Sequence, residues 1–342
     1  MAKVLVAMSG GVDSSVAAAI LHDQGHECVG VTLKLWGGPS DSGCCSVSDV
    51  EDARRVASQL GIKHVVFNFS EAFEADVVTP YVEAYARGET PNPCIECNRS
   101  IKFAILLERA KRLGFDYVAT GHHARIGHGE EGPVLLRGVD REKDQSYVLS
   151  MLTSTQLSML MLPIGEMRKS EVRARASEMG LRTANKPDSL EVCFISKAEG
   201  RDAFLGKRIP LRRARAVDLV DGSARELEVN FETVTVGQRK GIGSMGDSRK
   251  RFVVDKDVST GTILLGSERD LVRSVQRVRE IVCHEVDLSD VEVQTAAHGS
   301  TLRGSLDGER VVFSSPRRRV APGQTLAFYR GDRVVGSAIV AD

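Results

Sequence analysis

The chain has 342 residues, with 46 Lys plus Arg balanced by 46 Asp plus Glu. That length allows two or three domains with a sizeable core, and a formal charge of zero excludes a global basic field for nucleic acid, leaving only local patches. No apolar run approaches the roughly 20 residues that span a bilayer, and Gly10-Gly11 interrupts the N-terminal apolar run before a cleavable signal pattern forms. No membrane partner is expected, and the expected location is the cytoplasm.

In chain order, Val4 to Met8 reads as a short buried strand. Ser9, Gly10 and Gly11 follow as a tight turn that permits positive φ and close approach of the backbone to a ligand. Val12 to Gln24 reads as a helix that starts at that turn, so its unpaired N–H groups face whatever the loop encloses, most naturally a phosphate. Glu27–Trp36, His64–Phe69 and Asp116–Thr120 read as further strands. Between them come helical stretches at Val50–Leu60, Glu71–Arg87 and Ile101–Leu113. This alternation predicts a doubly wound parallel sheet. Gly121-His122-His123 then sits just past a strand's carboxyl end, in the crevice that the SGGVDSS loop would also line. Pro91 and Pro93 predict an exposed loop before Cys94 and Cys97. Val134–Val139 reads as a short strand, Lys143–Tyr147 leads into a helix with Gln156–Met161 following, and Glu166–Gly180 is a charged helix.

Beyond Ala203 the pattern becomes short alternating strands: Arg215–Val220, Phe231–Val236, Arg251–Lys256 and Thr262–Leu265, then Val278–Val282, Val291–Thr295, Arg310–Phe313, Thr325–Tyr329 and Val334–Val340. The expected domains are residues 1–200, a small β-rich domain at 201–270 and a β-barrel-like domain at 271–342. The basic groups Arg208/Arg212/Arg213/Arg215, Arg249–Arg251 and Arg317–Arg319 are the local patches available for RNA, although each alone reads as a solvated face.

Seven cysteines, an odd number in a chain this long, argue against a secreted disulfide scaffold. Cys28 and Cys283 sit beside valines on apolar strands and read as packing; Cys44 and Cys45 lie in a Gly/Ser-rich loop without an evident role. Cys94 and Cys97 form a C-x-x-C with no second pair to complete a zinc site. Cys97 falls just before the expected helix and near Lys102, both of which favour a thiolate, so it is a candidate nucleophile. Cys193 is a candidate carrier of a transferable sulfur.

SGGVDSS is not a Walker loop, since no Gly-Lys-Ser/Thr follows the glycines. It resembles the pyrophosphate loop of the ATP pyrophosphatases that adenylylate a substrate. That resemblance implies cleavage of ATP between the α and β phosphates, with Ser9, Gly10, Gly11, Ser14 and Ser15 around pyrophosphate and Asp13 assisting Mg²⁺. Six segments in order, AMSGGVDSS, TPNPCIECNRSIKF, ATGHHAR, KDQSYVL, VCFI and VGQRKGIG, together with APGQTLAFY in the tail, are similar to the bacterial tRNA-specific 2-thiouridylases.

The resemblance implies that Ala7, Met8, Ser9, Gly10, Gly11, Val12, Asp13 and Ser14 bind ATP, with Leu33 against the adenine and Gly121 beside the nucleotide. It assigns tRNA contacts to Asn92, Pro93, Cys94, His122, Lys143, Asp144, Gln145 and Gln324. Cys97 becomes the nucleophile and Cys193 the persulfide carrier, with the two ending as a disulfide that must be reduced. The implied substrate is the wobble uridine of tRNAs with Lys, Glu and Gln anticodons, and the implied sulfur source is a cysteine desulfurase or relay protein. Two departures stand out. Position 94 is an aspartate in some relatives, and a third thiol there raises the alternative of an iron–sulfur cluster; Ala296 and Ala297 fall where relatives carry a basic-aromatic pair. The competing readings are another ATP pyrophosphatase acting on a small molecule, an iron–sulfur-dependent tRNA thiolase, and a non-catalytic RNA-binding protein that has kept the nucleotide fold.

Overall fold

Val4, Leu5 and Val6 are fully buried in β1 (Lys3–Ala7), as their unbroken apolar character requires of a strand covered on both faces. The structure is a computed structural model that describes residues 1–36, 46–188, 192–196, 198–242 and 250–341. Cys44, Cys45, Gly243 and Arg249 lie outside the described residues. The chain divides into two compact units, one of Met1–Val77, Pro93–Ser196 and Gly331–Val334, the other of Val78–Asn92, Lys197–Arg330 and Val335–Asp342.

In the first unit β1 leads to α1 (Val12–Asp23), β2 (Glu27–Lys34), α2 (Val47–Gln59) and β3 (Lys63–Asn68). Next come β4 (Tyr117–Ala119), a hairpin of β5 (Ala124–Gly129) and β6 (Gly132–Arg137), and β7 (Leu160–Met161). The main sheet has the order β3-β2-β1-β4-β7 with every pairing parallel. The chain builds outward from β1 to β3 on one side and returns to β4 on the other, so the strand order reverses beside β1. Ligands of open parallel sheets lie at such a reversal, outside the carboxyl ends of the strands. One core holds this half of the sheet together: Val4 and Val6 pack with Val16 and Ala17 of α1, Val56 and Ala57 of α2, and Val172 and Ala176 of the helix Lys169–Glu178.

The doubly wound parallel sheet forms as expected, with four local differences. Gln156–Met161 is not helical throughout; a single turn, Ser154–Leu157, is followed by β7, because Leu160 and Met161 are needed as the edge partner of β4. The strand expected at Val134–Val139 is the second arm of the β5–β6 hairpin. Pro93 does not prolong a loop but opens a helical stretch, Pro93–Glu96, where its missing N–H costs nothing. Phe231–Val236 is a buried turn, and the strand there is the preceding Ala224–Asn230.

The second unit contains two sheets. β8 (Arg213–Asp218), β9 (Ala224–Asn230), β10 (Phe252–Asp257) and β11 (Thr262–Gly266) form the order β10-β11-β8-β9 over a core of Phe231, Val253, Ile263 and Leu265. β12 (Val272–Cys283), β13 (Val291–Gln294), β14 (Leu302–Asp307), β15 (Arg310–Arg318), β16 (Thr325–Arg330) and β17 (Arg333–Val340) follow. They run in the order β12-β15-β14-β13-β16-β17, and the antiparallel pairing of β12 with β17 closes them into a barrel. Closure removes both edges, which is how a small all-β module avoids edge-to-edge association.

Candidate nucleotide and sulfur-transfer site

The loop after β1 is tightened by its own serines. The Ser9 N–H donates to Ser14 Oγ at 3.2 Å, and Ser14 Oγ and Ser15 Oγ both donate to Gly11 O, at 3.2 and 2.8 Å. Gly10 has φ +72°, and a Cβ there would lie 2.2 Å from Asp49 O, so only glycine fits between the loop and α2. No side chain caps α1 at Gly11, which leaves its first N–H groups for an anion. Gly121 is equally constrained: its Cβ would stand 2.5 Å from Ser14 N and 2.6 Å from the Asp13 carbonyl carbon. The expected grouping of the SGGVDSS loop with Gly121 is therefore a close backbone contact. Leu33 is buried at the carboxyl end of β2.

Asp13 is the charged centre of this region. Lys169 Nζ donates to both of its carboxylate oxygens, at 2.7 and 2.6 Å, and His123 Nε2 lies 3.2 Å from Oδ1. Burial alone would raise the Asp13 pKa, but the hydrogen bonds from His123 and Lys169 outweigh it and hold the carboxyl below its ordinary value. Lys169 Nζ also reaches Asp188 Oδ1 at 2.8 Å, and Asp188 takes Lys143 at 2.9 Å and Arg173 at 3.0 Å. Asp188 is pushed down to about 2: burial opposes the shift, and the hydrogen bonds from Lys169 and Lys143 override it. A second lysine, Lys186, donates to Gly10 O at 3.0 Å, Asp49 Oδ1 at 2.6 Å and Asp52 Oδ2 at 2.8 Å, tying the loop to α2.

His122, expected to contact tRNA, and its neighbour His123 meet different partners. His122 Nδ1 is 2.7 Å from Thr120 Oγ1, and its ring packs against Phe103 with centroids 5.8 Å apart. Burial, then the nearby Lys102 and His123, push its pKa down to about 3, so its imidazole is neutral at physiological pH. His123 is the one that meets Asp13, and it is 3 % exposed. The segment Lys143–Gln145 fastens this loop. Gln145 Oε1 accepts from the His123 N–H, and the Gln145 N–H donates to His123 O, each at 2.8 Å. Asp144 is buried, accepting from Gly138 N at 2.9 Å, Ser146 N at 3.1 Å, Ser146 Oγ at 2.8 Å and Arg137 Nη1 at 3.2 Å. Asp144 thus holds the segment that presents Lys143 and Gln145.

The cysteines lie on two other segments of the same unit. Helical backbone continues from Pro93–Glu96 through Cys97–Ile105 to Leu106–Arg112, the middle part as π-helix. Cys97 is therefore one turn inside a helix that starts at Pro93, not ahead of one starting at Asn98 or Arg99. At that position its thiol gains less from the positive end of the helix than it would at the first turn. A π segment widens the helix locally and is frequent at functional sites. Cys97 is buried and Cys94 exposed. Asn98 Nδ2 donates to Val148 O at 3.0 Å and Gln156 Nε2 to Phe103 O at 2.5 Å, which fix the Cys97 helix to the segment after Lys143–Gln145. Cys193 is half-buried. Its neighbour Phe194 is 3 % exposed and packs on Trp36 and Phe73, at ring distances of 6.1 and 5.7 Å, anchoring the Cys193 segment beyond the carboxyl end of β2.

Asn92 and Gln324 belong to the second unit. The Gln324 amide donates to Thr90 O, and its backbone O accepts from the Val340 N–H at 2.7 Å. Sequence reasoning missed Lys169, Lys186 and Asp188; the only signal was their place in a Lys- and Asp-rich stretch, which periodicity cannot connect to the loop.

A family model described as "tRNA methyl transferase HUP domain" matches residues 2–197, and one described as "Aminomethyltransferase beta-barrel domain" matches residues 291–340. The chain is 46 % identical over 366 residues to the tRNA-specific 2-thiouridylase MnmA of Mycobacteroides abscessus, covering 99 % of each chain. The chain belongs to the tRNA-specific 2-thiouridylase family. It is also 47 % identical over 359 residues to the MnmA of Mycobacterium tuberculosis, covering 99 % of this chain and 96 % of that protein.

Proposed function

We propose that the protein is a tRNA-uridine 2-sulfurtransferase that uses ATP to replace the C2 oxygen of the wobble uridine by sulfur. The observation that carries this reading is full-length similarity to 2-thiouridylases combined with an uncapped helix start behind a serine-tightened glycine loop. The C2 oxygen attacks the α phosphorus, the α–β bond breaks, and pyrophosphate leaves against the N–H groups at the start of α1. The uracil oxygen is then a leaving group as AMP. The terminal sulfur of a persulfide on Cys193 attacks C2, AMP departs, and the Cys97 thiolate attacks Cys193 Sγ. That last step leaves the thiocarbonyl on the base and a Cys97–Cys193 disulfide, which a reductant must open before the next turnover. A wobble base must be splayed out of the anticodon loop to reach such a pocket.

Mg²⁺ carried by the nucleotide needs only one or two protein carboxylates, and it neutralises the phosphates. Asp13 fits as one of them, since Lys169 already bridges to Asp188 and can move its weight there. The sulfur donor is expected to be a cysteine desulfurase or relay protein, the tRNAs those for Lys, Glu and Gln, and the compartment the cytoplasm.

The test is a reconstitution with ATP, Mg²⁺, tRNA, cysteine and a cysteine desulfurase, read by mass spectrometry of anticodon-loop nucleosides together with AMP and pyrophosphate. Stoichiometric 2-thiouridine and AMP are expected. ATP cleavage driven by a small molecule, with no thiolated uridine, would replace this reading by that of another ATP pyrophosphatase. A visible absorption band in anaerobically purified protein, lost together with activity on chelation, would replace the persulfide by an iron–sulfur cluster.

A further inference from the structure

The second unit contains a basic hollow that the reaction above does not use. It is an open depression of about 500 Å³ lined by Arg201, Gln238, Arg239, Lys240, Phe252 and Arg318, and among the described residues its wall holds no carboxylate. On a chain whose charges sum to zero, four cations around one depression are a local concentration of field.

Two of the four are committed to the protein. Arg201 donates to Tyr85 Oη and to Thr233 O, each at 3.2 Å, and Arg318 pairs with Glu268 while standing 5.1 Å from the centre of the Phe252 ring. The other two are presented. Gln238 Oε1 accepts from Thr235 N at 3.0 Å and its Nε2 donates to Lys240 O at 2.9 Å, so its side chain closes the turn from inside. The strand beside it pins the same turn, with Gly237 N donating to Val253 O at 2.7 Å and Val253 N to Gln238 O at 2.9 Å. Arg239 and Lys240 are exposed on this fixed turn, and among the described residues neither has an ion-pair partner. A fixed pair of cations costs little ordering when an anion arrives.

We propose that this hollow is a phosphodiester subsite for the RNA substrate, in which Arg239 and Lys240 neutralise backbone phosphates. The inference rests on the tRNA reading above. The ligand is a phosphate rather than a base, because Phe252, the only ring among the described residues of the wall, is 5 % exposed and offers no face for stacking. The contact therefore adds affinity without sequence selectivity.

The experiment is fluorescence anisotropy of end-labelled tRNA transcript against the full-length protein over a range of KCl concentrations. It compares wild type, Arg239→Ala/Lys240→Ala and the charge-retaining Arg239→Lys/Lys240→Arg. Each lost phosphate contact removes about 0.7–0.9 from the slope of log K against log salt, or about 5- to 8-fold in affinity near 0.1 M salt. The double alanine variant is expected to bind more than tenfold more weakly with a slope shallower by about 1.5, equally for cognate and non-cognate tRNA. The charge-retaining variant should stay within about twofold of wild type. ATP affinity and thermal midpoint, read in parallel, report intact folding, and the single variants Arg239→Gln and Lys240→Gln should each show half the slope change. Unchanged affinity and slope in a folded double variant overturn the subsite. A wild-type protein that fails to bind tRNA at all overturns the substrate reading itself.

Discussion

Replacing Lys169 by alanine tests whether the charged bridge behind the nucleotide loop does what its geometry implies. Lys169 is 8 % exposed, and its ammonium touches Asp13 at 2.6 Å and Asp188 at 2.8 Å. Breaking a fully buried ion pair costs about 3–5 kcal/mol. Here the carboxylates are 29 % and 27 % exposed, Asp13 keeps His123, and Asp188 keeps Lys143 and Arg173. Screening and these remaining partners reduce the expected cost to about 1–2 kcal/mol. For a cooperative unit of roughly 200 residues that lowers the melting midpoint by about 2–8 °C at neutral pH.

The variant also leaves an uncompensated carboxylate at an anion site. Losing one charge-assisted interaction, about 1.5 kcal/mol, weakens ATP roughly tenfold. The pH dependence supplies an independent check. Asp13 and Asp188 both have depressed pKa values in the folded protein, that of Asp188 reaching about 2. Their contribution is present above the ordinary carboxylate value near pH 4 and is lost as pH falls towards 2. The gap in melting midpoint between wild type and Lys169→Ala should therefore be full at pH 7 and shrink below about pH 4. Differential scanning fluorimetry across pH and calorimetric titration with ATP measure both effects. Midpoints equal within about 1 °C at pH 7, together with unchanged ATP affinity, would refute the bridge argument.

Three further perturbations separate the parts of the site. Cys193→Ser should abolish 2-thiouridine while AMP and pyrophosphate still form with tRNA present; loss of all three would mean that the thiol serves activation. Gly121→Ala forces a Cβ to 2.5 Å from the backbone of α1, an overpacking worth about 1–3 kcal/mol. It should raise the KM for ATP at least several-fold, and an unchanged KM would show that the loop can retreat without consequence. Asp144→Ala removes the buried acceptor shared by Arg137, the Gly138 N–H and the Ser146 N–H and hydroxyl. About 3 kcal/mol of stability should go with it, a drop in chemical-denaturation midpoint that a purely tRNA-facing aspartate would not cause.

The parallel sheet and the nucleotide loop were legible because both are written in short range. Val4–Met8 is apolar on every position, and the glycines follow without a gap, so strand, turn and helix leave one consistent pattern. The β-barrel was legible only as strand density. Its closure depends on β12 meeting β17, a pairing of Val278 with Val340 that no local signal announces. Misread elements share one cause, since tertiary partners decided them: Leu160–Met161 became a strand because β4 offered an open edge, and Phe231–Val236 became a turn because its apolar residues fill the core beneath β8 and β11.

The roles of His122 and His123 depend on side-chain direction at a strand end, which spacing does not encode. The His122 ring turns towards Thr120 and Phe103, and His123 turns to Asp13. The same limit explains Lys169, Asp188 and Lys186. They stand 156, 175 and 173 residues beyond Asp13, and only the packing of Val172 and Ala176 with α1 brings the first of them to the loop. Once that helix is docked, the arrangement has a chemical consequence. The two lysines behind the loop are each balanced by carboxylates, Lys169 by Asp13 and Asp188 and Lys186 by Asp49 and Asp52. The lasting attraction for an anion therefore comes from the uncapped start of α1, and the lysines become available only as the carboxylates find other partners. Under the proposed reaction, a Mg²⁺ ion arriving with the nucleotide would compete with Lys169 for Asp13. Lys169 would then keep Asp188 at 2.8 Å as its remaining carboxylate, and its balance would shift towards the phosphates only as far as that second pair allows.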